Sequence, residues 1–231
     1  PEEMDEALQF APVGHQPDEK RINAICAKIA KWHTLQKTPI SKQKLTLILS
    51  TYPGRPWQMA HAVGLDAIAS AQAILEDLGY NIETKEESFE RLLTHKTMSW
   101  DIASYITALS EVPLSLQEEL YSVWGAPEAD LLAVDGSFKF TSLSFGNAMV
   151  ALQPERGFKQ NREGEYHDIS RTPCHSYVAF YLWLQKVIKT NAIIHIGAHG
   201  TLEWLPGKAV ALSDNCWPEV LAGNMPIIYP F

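Results

Sequence analysis

The stretch from Ile193 to Lys208 places His195, His199, Glu203, Trp204 and Lys208 among the glycines Gly197, Gly200 and Gly207. Imidazole and carboxylate groups packed this closely support two kinds of chemistry: proton exchange near neutral pH and ligation of divalent cations. The apolar run Ala192 to Ile196 in front of them reads as a buried strand, so the cluster sits at a strand's C-terminal end. Open α/β sheets bind ligands in the crevice beyond that end, where glycines let the backbone approach a bound group. Gly197 and Gly200 break a helix here, which puts His195 on the strand's end, His199 in the turn and Glu203 about one helical turn further on. Plainer roles exist for the same residues. His195 as a hydrogen-bonded core histidine, Glu203 as a carboxylate at a helix N-terminus and Trp204 as a pin for the loop all fit the same spacing.

Two familiar chemistries are excluded by spacing. A phosphate-binding P-loop has four residues between its glycines and a hydroxyl after its lysine, whereas six residues separate Gly200 from Gly207 and Ala209 follows Lys208. A helical zinc-peptidase site needs Glu directly after the first His, where this chain has Ile196. No Gly-x-Ser-x-Gly nucleophile elbow of an α/β hydrolase is present either.

A second polar group lies in the loop from Pro154 to Pro173, which carries Arg156, Arg162, Tyr166, His167, Asp168 and Arg171, with His175 just beyond it. Loops longer than about 12–15 residues are usually functional or disordered, and arginines bind carboxylates through paired hydrogen bonds. A solvated polar loop would have the same composition. The aromatics Tyr177, Phe180, Tyr181 and Trp183 that follow read as core.

The elements that must hold these residues read as α/β. Ile22, Ile25, Cys26, Ile29 and Trp32 fall on one face of a leading helix over Glu19 to Trp32. Leu45 to Leu49 is a compact strand, and Leu65 to Leu78 a helix stopped by Gly79, so the pair starts a βαβ-like unit. Glu86 to Asp130 reads as a mainly helical insertion, punctuated by Pro113 and Pro127. Phe138 to Leu152 alternates and turns at Gly146-Asn147. Ser176 to Lys189 is an aromatic-rich helix feeding the strand at Ala192, and Pro218 sits in the first turn of a short helix from Cys216 to Leu221. The fold class is thus α/β, with Rossmann-like parallel-sheet units and a helical insertion at about 86–130.

Bulk properties narrow the function. The 231 residues are 46% hydrophobic, enough for a substantial core. A net charge of -8 supplies no long-range attraction for nucleic acid or an anionic membrane, so an acidic ligand must be held by local cations. Cys26, Cys174 and Cys216 are far apart and form no Cys-x-x-Cys pair, which points to a reducing, cytoplasmic setting without disulfides or a structural zinc. No apolar run reaches the roughly 18–20 residues of a membrane span.

The segment His199 to Lys208, His-Gly-Thr-Leu-Glu-Trp-Leu-Pro-Gly-Lys, resembles the signature of a family of metal chelatases formed by the large subunit of CobN-type cobaltochelatase and its magnesium chelatase counterpart. Further blocks resemble the family in the same order: Tyr52 to Arg55, Val63 to Asp66, Trp124 to Asp130, Phe145 to Asn147, Leu152 to Pro154 with Arg156-Gly157, Tyr166 to Asp168, His175 with Tyr177, and Cys216 to Pro218. Together they cover roughly residues 43 to 231, leaving 1–42 as an N-terminal extension and helix. Pro56-Trp57 and Ala67-Ile68 depart from the family's pattern. His195, Trp217 and the ending Ile228 to Phe231 resemble the cobalt branch.

The resemblance implies a fragment of a larger, tetrapyrrole-binding subunit that inserts Co2+ into hydrogenobyrinic acid a,c-diamide in cobalamin biosynthesis. ATP and Mg2+ would then belong to an AAA+ ATPase motor subunit and its companion, in keeping with the missing P-loop. On this reading His199 and Glu203 form the metal-delivery and proton-accepting pair, with His195 a further metal ligand. His175, Trp204, Lys208 and Arg156 contact the corrinoid, the two cations against its carboxylates. Two alternatives stay open: porphyrin binding with Mg2+ insertion, and a non-catalytic docking module for the motor subunits.

Overall fold

Leu45 to Leu49 and Ala192 to Ile196 are buried at every position, as strands covered on both faces must be. In the computed structural model, which describes residues 17–50, 65–80, 82, 95–157, 168–197, 201–207 and 212–229, they lie side by side at the centre of a seven-stranded mixed sheet. The elements in chain order are α1 (Glu19–Lys37), β1 (Leu45–Leu49), α2 (Ala67–Asp77), β2 (Thr97–Asp101), α3 (Ile102–Leu109), α4 (Leu114–Trp124), β3 (Ala133–Val134), β4 (Ser137–Phe145), β5 (Ala148–Leu152), α5 (His175–Trp183), β6 (Ala192–Ile196), α6 (Trp217–Ala222) and β7 (Ile227–Ile228). The strand order is β2-β4-β5-β1-β6-β7, with β3 paired to β4. The half from β5 through β1 and β6 to β7 is parallel, and the half from β2 through β4 to β5 is antiparallel. The α/β expectation holds, with the parallel units extended by an antiparallel hairpin that turns at Gly146-Asn147.

Side-chain alternation divides the core into two layers. Leu45, Leu47, Leu49, Val150, Ile194 and Ile196 meet α2 through Ala67, Ile68, Ala71 and Leu75. Ile48, Met149, Ala151 and Ile193 point the other way, into a larger core built by α3, α4, α5 and α6. Every residue of α5 is buried, so this helix is covered all round rather than amphipathic. It carries the chain from β5 across β1 to β6. Its first turn is capped from outside, where the Asp130 carboxylate accepts from the Ser176 backbone N–H at 2.8 Å. Its last turn widens into a π-helical stretch, Leu184–Ile188, ended by Lys189 in the left-handed conformation.

Two expectations change. Glu86 to Asp130 is not only helical, because β2 occupies the part from Thr97 to Asp101. Trp100 is the one residue of that strand to be buried, opposite Phe138, so the strand is an edge whose polar exposed positions hide its periodicity. The leading helix exists and runs on to Lys37, yet it buries none of its residues. Ile22, Ile25, Ile29 and Trp32 remain exposed, Ile29 by 62%. Polar anchors hold α1 instead: Glu219 of α6 pairs with Arg21 at 3.1 Å and Lys28 at 3.0 Å, and Lys28 Nζ also donates to the Gly223 carbonyl at 2.8 Å. Among the described residues, no helix is long and apolar enough to cross a membrane.

Because Glu219 is nearly buried between two cations, Glu219→Gln removes both ion pairs while keeping the side chain's shape. The expected outcome is faster amide hydrogen exchange across Glu19–Lys37, with a loss of ~1 kcal/mol or less in global stability. Unchanged exchange in that helix would show that other contacts hold it.

Candidate functional site

The helix that follows β1 in the chain, α2, packs on one face of the sheet, and the helix that follows its neighbour β5, α5, packs on the other. Diverging connections from adjacent parallel strands open a crevice at their C-terminal ends. Register brings those ends level: Leu49 lies opposite both Leu152 and Ile196, so Ser50, Gln153 and Gly197 follow at one height. Backbone bonds lock the row, with Gln153 N–H donating to the Leu49 carbonyl at 3.0 Å and Ser50 N–H to the Ile196 carbonyl at 3.2 Å. A Cβ on Gly197 would sit 3.0 Å from both Cβ and Oγ of Ser50, and its φ of 153° is one that side chains rarely adopt. This glycine lets β6 end close against β1.

His195 lies on the α5 face of β6 and is 1% exposed. On one side Tyr229, just past β7, stacks on it with ring centroids 4.9 Å apart and planes 6° from parallel. On the other, the Tyr181 hydroxyl of α5 approaches Nε2 at 3.5 Å. Gln153, two residues beyond Ala151 on the same face of β5, donates through Nε2 to Tyr177 Oη at 3.1 Å and Tyr181 Oη at 2.5 Å. Burial drives the His195 pKa down to about 3, so the ring is neutral at physiological pH. Its Nδ1 has no hydrogen-bond partner among the described residues.

Glu203 and Trp204 occupy a short 3-10 turn, Thr201–Trp204, beyond Gly197. Leu202 and Leu205 are buried in the α5-side core and anchor the turn, leaving Glu203 and Trp204 half-buried between them. Arg156 Nη1 donates to the Trp204 carbonyl, and the Arg156 carbonyl accepts from Cys174 N–H, so one arginine ties the exit of β5 to this turn and to the start of α5. At the turn's end Gly207 has φ 106°, and a Cβ there would fall 2.5 Å from Cys216 Cβ and 2.8 Å from Cys216 Cα. Trp217 N–H then donates to the Pro206 carbonyl at 3.3 Å. The Leu-Pro-Gly end of the motif is thus a close-packed joint with α6.

The other expected residues fall as follows. His175 is 1% exposed at the start of α5, where Nε2 meets the Gly125 carbonyl at 3.0 Å and Nδ1 the Tyr105 hydroxyl at 2.8 Å. Nε2–H donates and Nδ1 accepts, which commits both ring nitrogens inside the protein, and burial lowers the pKa. The arrangement gives this imidazole a structural role rather than the corrinoid contact expected of it, because no ring nitrogen is left to offer. Asp168 closes its own turn by accepting from Ser170 N–H at 2.9 Å and Ser170 Oγ–H at 2.6 Å. His199 and Lys208 lie outside the described residues, as do Arg162, Tyr166, His167 and the first loop from Tyr52 to Gly64. Among the described residues no three His, Cys, Asp or Glu side chains form a metal-holding group. The contacts of Gln153 and Tyr181 with one another, and of Tyr181 and Tyr229 with His195, were not anticipated from the sequence. The available signal was the four-residue spacing of Tyr177 and Tyr181, which places two hydroxyls on one helical face.

The C-terminal ends of β1, β5 and β6 thus gather Gln153, Tyr181, His195 and Tyr229 on the α5 side of the sheet. Residues 2–231 match the CobN/Magnesium Chelatase family, and the chain belongs to it. It is 32% identical over 239 residues to the aerobic cobaltochelatase subunit CobN of Sinorhizobium sp, covering 95% of this chain and 18% of that protein. To the corresponding subunit of Pseudomonas aeruginosa it is 33% identical over 233 residues, covering 93% and 19%. The chloroplastic magnesium-chelatase subunit ChlH of Oryza sativa subsp. indica is 27% identical over 223 residues, covering 91% and 16%. Among solved structures, the catalytic subunit of cobaltochelatase from Mycobacterium tuberculosis superposes with a TM-score of 0.78 at 28% identity, covering 94% of this chain and 20% of that one. The chain spans about a fifth of the length of these relatives.

Two outcomes test this geometry. Gly207→Ala should destabilise the fold by about 1–3 kcal/mol in denaturant unfolding, and Cys216→Ala should not rescue it, since Cys216 Cα itself stands in the way. For His195 the folded pKa lies below the unfolded value, so its contribution to stability is intact above pH about 6.5 and is lost as pH falls toward about 3. Unfolding midpoints followed over that range should fall less steeply in His195→Gln than in the parent chain; equal slopes would show that the ring is already charged in the fold.

Proposed function

We propose that this chain is the part of an ATP-dependent cobaltochelatase large subunit that receives Co2+ and presents it to hydrogenobyrinic acid a,c-diamide. The observation that supports the reading is the place of the family motif: its described part, Thr201 to Gly207, follows β6 in the chain, and Gly197 at the end of β6 lies level with Ser50 after β1 and Gln153 after β5. The identities of 32–33% to CobN subunits against 27% to ChlH support cobalt over magnesium.

Metal insertion is a series of ligand exchanges. The hydrated cation loses water, the macrocycle bends to expose its nitrogen lone pairs, and two pyrrolic protons leave. Glu203 supplies a carboxylate that replaces water without trapping the ion, and His199 an imidazole that binds reversibly and takes up a proton. His195 adds a neutral nitrogen from the strand. Trp204 offers an indole face to a flat ring, while Lys208 and Arg156 offset the ligand's carboxylates in a chain of net charge -8. Arg156 acts partly through the turn, because its guanidinium already holds the Trp204 carbonyl. ATP hydrolysis, with its Mg2+, falls to an AAA+ motor subunit and its companion in the cytoplasm. Binding of a porphyrin with Mg2+ insertion is the alternative within the same family.

The test uses the full-length subunit with its motor partners. Glu203→Gln and His199→Ala are each expected to lower Co2+ insertion at least about 100-fold, and corrinoid titration calorimetry should show weaker binding for at least one of them, with unfolding unchanged. Wild-type insertion and affinity in both variants would overturn the assignment.

A further inference from the structure

The helix α1 combines an apolar seam with a polar mounting. Ile22, Ile25, Ile29 and Trp32 alternate at spacings of three and four residues, the pattern by which one helix packs along another. These four side chains are 45–62% exposed, and no residue of α1 is buried. Charge fixes the helix to the rest of the chain: Lys20 pairs with Asp214 at 3.3 Å, and Arg21 and Lys28 pair with Glu219. Around the helix axis those three basic residues centre roughly 100° away from the seam. The contacts that mount α1 therefore leave its apolar side uncovered.

We propose that this seam is the docking surface for a helix of the same large subunit, in the part of that subunit outside this chain. The proposal needs only membership of the family and is independent of the metal-insertion reading above. The family match runs from residue 2 and so takes in α1. This chain covers 18% and 19% of the two cobaltochelatase relatives, which leaves about four fifths of such a subunit to supply the partner helix. Size decides against a second copy of this chain. The exposed part of the four side chains is on the order of 400 Å², half of the ~800 Å² per partner that a stable complex of separate molecules buries. A helix on the same polypeptide needs less area, because the connecting chain holds it at an effective concentration of about millimolar. Charge decides against a lipid surface. An amphipathic helix binds anionic membranes through its cations, whereas three of the five basic side chains of α1 are already paired with Asp214 and Glu219.

Cys26 is a reporter already in place: its thiol is exposed, four residues after Ile22 and three before Ile29, and so beside the seam. Iodoacetamide labelling, read at the Cys26 peptide by mass spectrometry, should be at least about 10-fold slower in the full-length subunit than in residues 1–231 alone, which have their own two-layer core. In the double variant Ile25→Asp, Ile29→Asp the two rates should agree to within about twofold. The same variant of residues 1–231 should melt close to wild type, since both isoleucines are exposed there. Equal labelling rates in the two wild-type proteins, or slow labelling of the full-length subunit that the double variant leaves unchanged, would overturn the proposal. Two other results would also overturn it by assigning the seam elsewhere. A dimer of residues 1–231 in sedimentation that the double variant dissolves would assign it to a second copy, and binding of that chain to phosphatidylserine vesicles, lost in the variant, would assign it to a membrane.

Discussion

The structure depends on one crossing: the chain must pass from β5 over β1 to β6, and α5 is the element that makes it. Because β1 is buried on both faces, whatever crosses it is pressed between the sheet and a second layer of helices. This is why α5 has no solvent face. A helix in that position meets its own polar atoms with no water to help, and every hydroxyl it carries has to find a partner in protein. Tyr177 and Tyr181 find Gln153 and His195, all at the C-terminal end of the sheet. The same requirement at the other end is met by Thr46 and Thr190, whose hydroxyls bond directly.

The polar layer at the C-terminal end is therefore a consequence of packing. A neutral imidazole there is easier to bury than a charged one, and burial keeps it neutral. Glycine completes the arrangement at two positions for different reasons. Gly197 allows β6 to stop against Ser50, and Gly207 allows the turn holding Glu203 to close against Cys216. The turn from Thr201 to Gly207 is fixed by its joint with Cys216 and by Leu202 and Leu205, with Glu203 and Trp204 left between fixed points.

What was legible in the sequence follows from the range of the interactions involved. β1 and β6 were readable to the residue because complete burial leaves an unbroken apolar run, and the β4–β5 hairpin because Gly146-Asn147 marks its turn. β2 was not, since an edge strand with Thr97, Ser99 and Asp101 pointing outward has no periodicity to detect. α1 showed the pattern of a buried amphipathic helix, yet its apolar stripe is exposed and ion pairs to Glu219 hold it, a long-range contact that periodicity does not encode. Of the motif and the strand before it, the described parts were legible as the strand carrying His195 and a turn over Thr201 to Gly207. The role of His175 was not, because its partners Tyr105 and Gly125 lie 70 and 50 residues away.

The two buried histidines share an environment and differ in one respect. Both rings are 1% exposed, both lose basicity through burial, and both touch a tyrosine hydroxyl. The difference is whether the second nitrogen is used. His175 commits it to the Gly125 carbonyl, which fixes the α4–α5 contact and leaves nothing for a ligand. His195 leaves Nδ1 without a hydrogen-bond partner among the described residues. A buried ring nitrogen without a partner among the described residues destabilises the fold by roughly 1–3 kcal/mol, whether it carries the proton or the lone pair.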